Sequence, residues 1–232
     1  MKQFNDFQVL TFDCYGTLID WERGIVNALK PVLAKRSIQA ADDEILQLYG
    51  KFESAAEHGP FRNYRLILQD VLRRFAEHFE FDAAPEEIAG FPNSLGDWPA
   101  FPDTVEALRA LSENFKLAII SNVDDDLFAL SQKRLKVNFD WIITAQQVSA
   151  YKPSHQNFEF ALQKIGFPKT QILHVAQSLF HDHVPAKELG FSTVWIDRRA
   201  GKSGAGATPP AEAKPDWEFP DLKSFAEATQ AA

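Results

Sequence analysis

Short apolar runs alternate with longer segments of helical periodicity along most of this chain. Five of the runs favour β structure and lack the apolar–polar alternation of a half-exposed strand; they cover residues 7–13, 116–121, 141–144, 172–176 and 193–196. Continuous apolar runs of this length are typical of strands buried in a parallel sheet. The pattern therefore predicts an α/β fold with a doubly wound parallel sheet, Rossmann-like in type and joined by right-handed crossovers.

One long segment interrupts this alternation. Residues 21–97 have apolar positions at helical spacing and contain no strand-like run. A stretch rich in Gly and Pro, residues 90–102, ends the segment. We predict that residues 21–97 form an inserted helical cap subdomain, hinged to an α/β core domain made of residues 1–20 and 98–232.

Local signals place further helices and a loop. Asp103 and Glu106 have the spacing of a capping box, which predicts a helix that begins after Asp103 and ends near Ser112. Residues 201–215 are rich in Gly, Ala and Pro without periodicity, which indicates a mobile loop. A short helix is predicted over residues 221–229.

Composition and charge limit the partners and the cellular location. The net charge of −8 argues against nucleic acid or an anionic membrane as the main partner. No leader pattern and no apolar run of about 18 residues is present, so export or membrane insertion is not expected. The single cysteine, Cys14, excludes a disulfide framework within the chain and fits a reducing compartment. We expect a cytoplasmic protein in which Cys14 packs as a small apolar residue.

Polar residues that can take part in catalysis follow four of the predicted strands. Parallel strands of a doubly wound sheet share one carboxyl edge, so these residues are expected to meet in one crevice. Each of them alone could instead cap a helix or lie in a solvated loop, but four such groups at successive strand ends indicate a catalytic site. They are Asp13 and Thr17 after the first strand, Ser121 and Asn122 after the second, Lys152 after the third, and Ser178 and Asp182 after the fourth.

Asp13 is the candidate nucleophile of this crevice. A carboxylate can act as a covalent nucleophile when it is kept ionised and oriented. Lys152 is expected to favour the ionised form of Asp13, and the hydroxyl groups of Thr17 and Ser121 are expected to donate hydrogen bonds to it.

These motifs closely resemble those of the haloacid dehalogenase-like hydrolase superfamily. They occur in the superfamily's order, as Asp13-Cys-Tyr-Gly-Thr17, Ser121-Asn122, Lys152-Pro153 and Val175-Ala-Gln-Ser-Leu-Phe-His-Asp182. The helical insertion after the first motif looks like the superfamily's helical cap. The resemblance covers nearly the whole chain, and it implies a hydrolase whose substrate lies between the sheet and a cap that can close over it.

Branches of this superfamily differ at the second residue after the nucleophile. Phosphatases carry an aspartate there, which protonates the leaving group, and they use Mg²⁺. This chain has Tyr15, which donates a proton poorly at neutral pH, and it offers Mg²⁺ few carboxylates. The Asp-x-Tyr-Gly-Thr pattern instead resembles the (S)-2-haloacid dehalogenase (type II) branch. There the aspartate displaces halide from C2, and water hydrolyses the resulting ester to the inverted 2-hydroxy acid.

The resemblance to this branch implies further roles at the site. Asp182 would assist the hydrolytic water, and Phe180 would line a halide cradle. The residues implied to contact the substrate carboxylate or the halide are Cys14, Tyr15, Ser121, Asn122 and Ser178.

The branch also carries a cap arginine that has no counterpart at residues 48–51. An anion taken out of water needs a positioned cation or several converging N–H donors, and Lys152 is committed to Asp13. We expect Arg62 to supply that cation from the cap, with Lys51 and Arg23 as alternatives.

The expected partner is a small anionic substrate, with no cofactor. No metal site is predicted from His181 and His183, because side chains at this spacing point apart. The sequence is compatible with a homodimer. A Mg²⁺-dependent phosphatase of a small phosphate ester and a catalytically silent binding module of the same fold are the alternatives left open.

Overall fold

A six-stranded parallel sheet forms the centre of the molecule. The computed structural model describes residues 2–201, 207–208 and 210–231. Its strand order is β3-β2-β1-β4-β5-β6, with every neighbouring pair parallel. The strands are β1 (Val9–Phe12), β2 (Lys116–Ser121), β3 (Trp141–Thr144), β4 (Ile172–Ala176), β5 (Ser192–Ile196) and β6 (Trp217–Phe219). The predicted α/β fold with a parallel sheet is confirmed.

Helices occupy the remaining length between the strands. Apolar faces of these helices pack on the sheet and on one another in two clusters of buried side chains. The helices are α1 (Trp21–Ala34), α2 (Asp42–Glu57), α3 (Tyr64–His78), α4 (Pro85–Gly90), α5 (Thr104–Ser112), α6 (Asp125–Leu135), α7 (Ala145–Val148), α8 (His155–Ile165), α9 (Val184–Glu188) and α10 (Leu222–Gln230), with shorter 3₁₀ turns at Phe4–Asp6, Phe91–Asp97 and Lys169–Gln171 and a π turn at Leu179–His183. No described helix is long and apolar enough to cross a membrane.

The register of the central strands brings the candidate site residues together. Phe12, the last residue of β1, is level with Ile119 of β2 and Val175 of β4. The next residue, Asp13, donates its backbone N–H to the Val175 carbonyl at 3.2 Å. The carboxyl ends of these three strands therefore meet at one edge of the sheet, as parallel strands require.

Residues 21–97 contain α1 to α4 and no strand, as their periodicity predicts. This helical segment touches the sheet edge through backbone and ring contacts. The Asp124 carboxylate, after β2, accepts the backbone N–H groups of Tyr64 and Arg65 at the start of α3, both at 2.9 Å. A methyl group on Gly24 of α1 would come within 2.2 Å of the Trp98 ring, so this approach requires glycine. The division at residues 20/21 and 97/98 into cap and core stays a prediction.

Two local expectations were wrong or incomplete. The helix after Asp103 forms, but Asp103 does not cap it; its carboxylate pairs with Arg198 Nη1 at 2.8 Å and accepts the backbone N–H of Leu222, at the start of α10, at 2.8 Å. The Arg198 guanidinium and the start of α10 bind the Asp103 carboxylate, which is then not available to cap its own helix. The sheet also has a sixth strand, β6, which is short and half-exposed and so lacks the apolar signature. Of the loop predicted at 201–215, residues 202–206 and 209 lie outside the described residues.

Candidate active site

The carboxylate of Asp13 is held at both oxygens. Its Oδ2 accepts the Thr17 hydroxyl at 2.7 Å, and its Oδ1 accepts Lys152 Nζ at 2.8 Å. Gly16 has a φ of +94°, a conformation that favours glycine, and this turn brings Thr17 back beneath Asp13. Thr17 Oγ1 in turn accepts the backbone N–H of Gln177 at 2.9 Å. The predicted contacts of Asp13 with Thr17 and Lys152 are therefore present.

Lys152 is a buried ammonium group shared between two carboxylates. Its Nζ donates to Asp13, to Asp182 Oδ1 at 2.7 Å and to the Ile120 carbonyl at 2.9 Å, which uses all three of its N–H donors. Asn122 fixes the backbone of Lys152 from both sides, because its Oδ1 accepts the Lys152 N–H at 2.7 Å and its Nδ2 donates to the Lys152 carbonyl at 3.1 Å. Asn122 thus positions the lysine.

His174 contacts the Asp182 carboxylate and was not predicted from the sequence to be a site residue. Its Nε2 lies 3.0 Å from Asp182 Oδ1, and its Nδ1 lies 2.9 Å from the Thr11 hydroxyl. With Nε2 as the donor to the carboxylate, Nδ1 accepts from Thr11. The signal available was a histidine inside an apolar, fully buried strand.

The charges of this cluster respond differently to burial. Burial raises the pKa of Asp13, and the opposing effects of Lys152 and Thr17 do not fully offset it. Burial alone would raise the pKa of Asp182 as well. The charge of Lys152 and the hydrogen bond from His174 outweigh that effect and hold the pKa of Asp182 below its usual range. The two carboxylates raise the pKa of Lys152 against the effect of its burial. Of the two carboxylates, Asp13 is therefore the one that takes up a proton first on acidification.

A small cavity of about 50 Å³ lies over these residues. A single water needs at least about 10–15 Å³ on the same measure, so the cavity has room for a ligand of a few non-hydrogen atoms. Side chains from both the sheet edge and the helical segment line it: Asp13, Tyr15, Trp21, Glu53, Glu57, Tyr64, Ser121, Asn122, Lys152, Ser178, His181, Asp182 and Thr208. A cleft of about 490 Å³ adjoins it and shares Glu53, Glu57, Lys152 and His181 with it.

Several predicted residues line this cavity, but their contacts differ from those expected. Among the described residues the Ser121 hydroxyl has no hydrogen-bond partner. The prediction that it donates to Asp13 is therefore wrong, and the hydroxyl is available to a ligand. The Tyr15 hydroxyl instead bonds Ser131 Oγ at 2.9 Å, and burial raises the pKa of Tyr15 well above its usual value. The Ser178 hydroxyl lies 3.1 Å from His181 Nδ1.

Cys14 and Phe180 do not line the cavity. The Cys14 side chain is fully buried among apolar residues, as its packing prediction required, which takes the thiol away from any ligand. Phe180 lines the adjoining cleft instead, with its ring edge-on to that of His181 at 4.9 Å. Contact of the Cys14-Tyr15 turn and of Phe180 with a substrate or halide stays a prediction.

Arg62 does not supply a cation to the site. Its Nη1 pairs with Asp70 Oδ2 at 2.7 Å and its Nη2 donates to the Ala56 carbonyl at 3.0 Å. Asp70 lies in the second turn of α3, and this nearby carboxylate captures the guanidinium. The alternatives, Arg23 and Lys51, are exposed and do not line the cavity.

The helical segment contributes glutamates where a cation was expected. Glu53 and Glu57 of α2 line the cavity, and Glu53 Oε1 accepts the hydroxyl of Tyr64 and, at 3.1 Å, that of Tyr49. Burial raises the pKa of Glu53 to about 7 against the effect of these hydroxyls. Burial and the charge of Glu53 raise the pKa of Glu57 well above its usual range. The sequence offered one signal for this group, the helical spacing of Tyr49, Glu53 and Glu57.

His181 lines the same cavity as a neutral side chain, because burial lowers its pKa to about 4. The described residues contain no group of three or more His, Cys, Asp or Glu side chains arranged to hold a metal ion.

The model of the haloacid dehalogenase-like hydrolase family matches residues 7–179, about three-quarters of the chain. The chain belongs to this family. One curated relative is an (S)-2-haloacid dehalogenase of Pseudomonas sp. (strain YL), 26% identical over 228 residues that cover 96% of this chain and 94% of the relative. A second is an (S)-2-haloacid dehalogenase of Pseudomonas putida, 26% identical over 84% of this chain and 87% of its own.

Solved structures of similar proteins share the fold over nearly the full length. The L-2-haloacid dehalogenase PA0810 has a TM-score of 0.84 at 20% identity and covers 97% of this chain and 100% of its own. The L-2-haloacid dehalogenase of Xanthobacter autotrophicus, with chloropropionic acid covalently bound, has a TM-score of 0.80 at 19% identity and covers 97% and 98%. The predicted hydrolase class and the resemblance to the haloacid dehalogenase branch are confirmed.

Proposed function

We propose that this hydrolase uses Asp13 to displace halide from C2 of short (S)-2-haloalkanoic acids through an enzyme ester. The observation that supports it most strongly is the buried Asp13 carboxylate, fixed by Lys152 and Thr17 at the floor of a cavity sized for a small molecule. The relatives named as haloacid dehalogenases support the choice of substrate class.

In the first step, an Asp13 oxygen attacks C2 from the side opposite the halogen. A carbon–oxygen bond forms as the carbon–halogen bond breaks, and the halide leaves with the bonding electron pair. Lys152 and Thr17 hold the attacking group in line, which removes most of the orientational cost of the reaction.

In the second step, water attacks Cγ of the Asp13 ester. The ester oxygen leaves with C2 and takes a proton to become the hydroxyl of the 2-hydroxy acid, and the water oxygen stays in the Asp13 carboxylate. Asp182 supports this step, because its Oδ2 is buried without a hydrogen-bond partner in the described part of the chain and can orient the water. Configuration is inverted at C2, since only the first step touches that carbon.

The surroundings of Tyr15 favour a leaving group that needs no proton. Its hydroxyl is engaged by Ser131, and its raised pKa makes it a poor acid. A phosphate ester would need such an acid, whereas halide does not. The Lys152 ammonium also lies between the two carboxylate oxygens that would have to share a divalent cation. Phosphate ester hydrolysis is therefore the less favoured alternative.

Chloride release from (S)-2-chloropropionate tests the proposal. Turnover should persist in EDTA and disappear in Asp13→Asn, whose amide is a far weaker nucleophile. A panel of phosphate esters assayed with and without Mg²⁺ serves as the comparison. Metal-stimulated phosphate release without chloride release would contradict the proposal.

A further inference from the structure

The described lining of the cavity has no positive charge left over to pair with a bound anion. Among its described lining residues, Lys152 is the one Lys or Arg side chain, and it is already paired with both Asp13 and Asp182. These three groups together carry one net negative charge. A substrate carboxylate would add another negative charge in a buried space, where an unpaired charge is strongly disfavoured.

Glu53 is a second carboxyl group in the cavity with an oxygen available to a ligand. It lines the cavity and belongs to α2 of the helical segment. Its Oε1 is occupied by the hydroxyls of Tyr49 and Tyr64, which are themselves 3.0 Å apart, so the carboxyl group is fixed in place. No protein hydrogen bond to its other oxygen, Oε2, is seen in the described residues. That oxygen is therefore the one available to a ligand.

A second, independent group in the cavity also lacks a partner. The Ser121 side chain is 1% exposed, and its hydroxyl has no hydrogen-bond partner in the described residues although it lines the cavity. A buried hydroxyl without a partner is costly unless a ligand satisfies it. Ser121 from the sheet edge and Glu53 from the helical segment thus offer two polar groups to one small molecule.

We propose that Glu53 binds the substrate's carboxylate as a neutral carboxylic acid, donating a hydrogen bond from Oε2 in place of a cation. This inference rests on the proposed function, because it takes an anionic substrate as given. The proton of Glu53 then lies between the Glu53 carboxyl group and the substrate carboxylate. The two groups together carry one negative charge, that of the substrate, instead of two. A carboxylic acid kept neutral by an apolar site is an established type of hydrogen-bond donor.

The surroundings of Glu53 support the neutral form. Burial raises its pKa to about 7, so it is largely protonated at pH 6 and largely ionised at pH 8. A bound carboxylate raises that pKa further, since like charges disfavour ionisation. The titratable groups that contact Glu53, interact with its charge or line the cavity with it are Tyr49 and Glu57 on α2, Tyr64 on α3, Tyr151 and Lys152 after β3, Asp13 and Tyr15 after β1, and His181 and Asp182 after β4. The pKa values of two other carboxyl groups of this set, Glu57 and Asp13, are also raised by burial. Asp13 must ionise to react, so it cannot serve as a neutral donor.

A pair of nearly isosteric substrates, one anionic and one neutral, tests whether Glu53 binds a carboxylate as a neutral acid or repels it as a carboxylate. (S)-2-Chloropropionate carries a carboxylate and (S)-2-chloropropionamide a neutral amide, whereas the reacting carbon and the halogen are the same. For the acid, kcat/KM should fall about tenfold per pH unit above pH ~7, because kcat/KM reports the free enzyme and ionised Glu53 repels the carboxylate. For the amide, kcat/KM should not fall over the same range.

Variants of Glu53 and its partner sharpen the test. Glu53→Gln keeps a hydrogen-bond donor without a charge, so the acid should still react and its decline above pH ~7 should disappear. Tyr64→Phe removes a donor that favours the ionised form, so the decline should move to higher pH. Glu44→Gln, the same exchange at an exposed site on α2, should change neither profile. Lys202→Gln is assayed as well. Lys202 is the one Lys or Arg outside the described residues, so the count of cations around the cavity does not include it.

Binding of (S)-2-chloropropionate to Asp13→Asn, measured by calorimetry, separates failure of the inference from failure of the proposed function. Binding that weakens above pH ~7 and becomes independent of pH in Asp13→Asn/Glu53→Gln supports the role of Glu53 even if no chloride is released by the unaltered protein. The inference is overturned if the amide is preferred at every pH and Glu53→Gln abolishes its turnover. It is equally overturned if Lys202→Gln, and not Glu53→Gln, alters the profile for the acid, or if the acid neither binds nor reacts.

Discussion

At the scale of single residues, the site depends on how each buried charge is satisfied. Asp13, Lys152 and Asp182 form a cluster with one net negative charge, and hydroxyl or imidazole groups complete it. Because Lys152 has no donor to spare, other side chains must adjust the two carboxylates separately. Thr17 does this for Asp13 and His174 for Asp182.

Thr17→Val should shift the acid side of the pH profile upward. The hydroxyl of Thr17 stabilises the ionised form of Asp13, so its removal raises a pKa that burial has already raised. Activity requires ionised Asp13, and kcat/KM should therefore begin to fall at a higher pH on acidification than in the unaltered chain. Thr170→Val, the same exchange at an exposed site, is the control. An unmoved acid limb in Thr17→Val would show that the Thr17 hydrogen bond does not set the ionisation of Asp13.

The sequence identified the residues that follow strands better than those that arrive from the helical segment. Asp13, Thr17 and Lys152 could be found because a parallel sheet forces strand ends together. For Glu53 the sequence gives only its helical spacing from Tyr49 and Glu57, which does not place it at the site, since that depends on the packing of α2 and α3. Arg62 was misplaced because its pairing with Asp70 depends on where α3 begins.

At the scale of elements, Asp124 links the sheet edge to α3. Its buried carboxylate accepts two backbone N–H groups of the first turn of α3, those of Tyr64 and Arg65, which have no partner within the helix. This contact also sets the position of Tyr64, whose hydroxyl holds Glu53. A carboxylate at a helix N-terminus is further favoured by the helix dipole.

Asp124→Ala should lower the free energy of unfolding by about 0.5–2 kcal/mol, the range found for loss of a helix-capping side chain. KM for (S)-2-chloropropionate should rise, because Tyr64 and through it Glu53 lose their fixed position. Asp126→Ala is the matched control, since Asp126 is exposed, pairs with Arg65 at the surface and, among the described residues, accepts the backbone N–H of its own neighbour Leu127 and none of α3. Urea unfolding and steady-state kinetics measure both effects. Equal stability losses in the two variants would contradict a linking role for Asp124.

Element boundaries were predictable where a local pattern sets them and not where a distant residue does. The periodic helices begin and end close to their predicted positions. Asp103 has a local capping pattern, yet Arg198 and the start of α10 claim its carboxylate. The edge strand β6 carries no apolar run and is held by pairing with β5, which a local pattern does not reveal.

At the scale of the whole molecule, the parallel sheet makes the site and the helical segment covers it. The fold class followed from the alternation of strands and helices, because buried parallel strands need helices on both faces. The net charge of −8 does not favour an anionic substrate, so any such substrate must be bound by local donors. The homodimer stays a prediction, as does the boundary between cap and core.

The central claim is that the Asp13 carboxylate forms an ester with the substrate. A single turnover of (S)-2-chloropropionate in oxygen-18 water, with enzyme in excess, tests it most directly. The water oxygen should enter Asp13, so the peptide that contains Asp13 should gain one heavy oxygen while the first 2-hydroxypropionate formed carries none. Heavy oxygen in that first product, with an unlabelled Asp13 peptide, would show direct attack by water on C2 and would contradict the account.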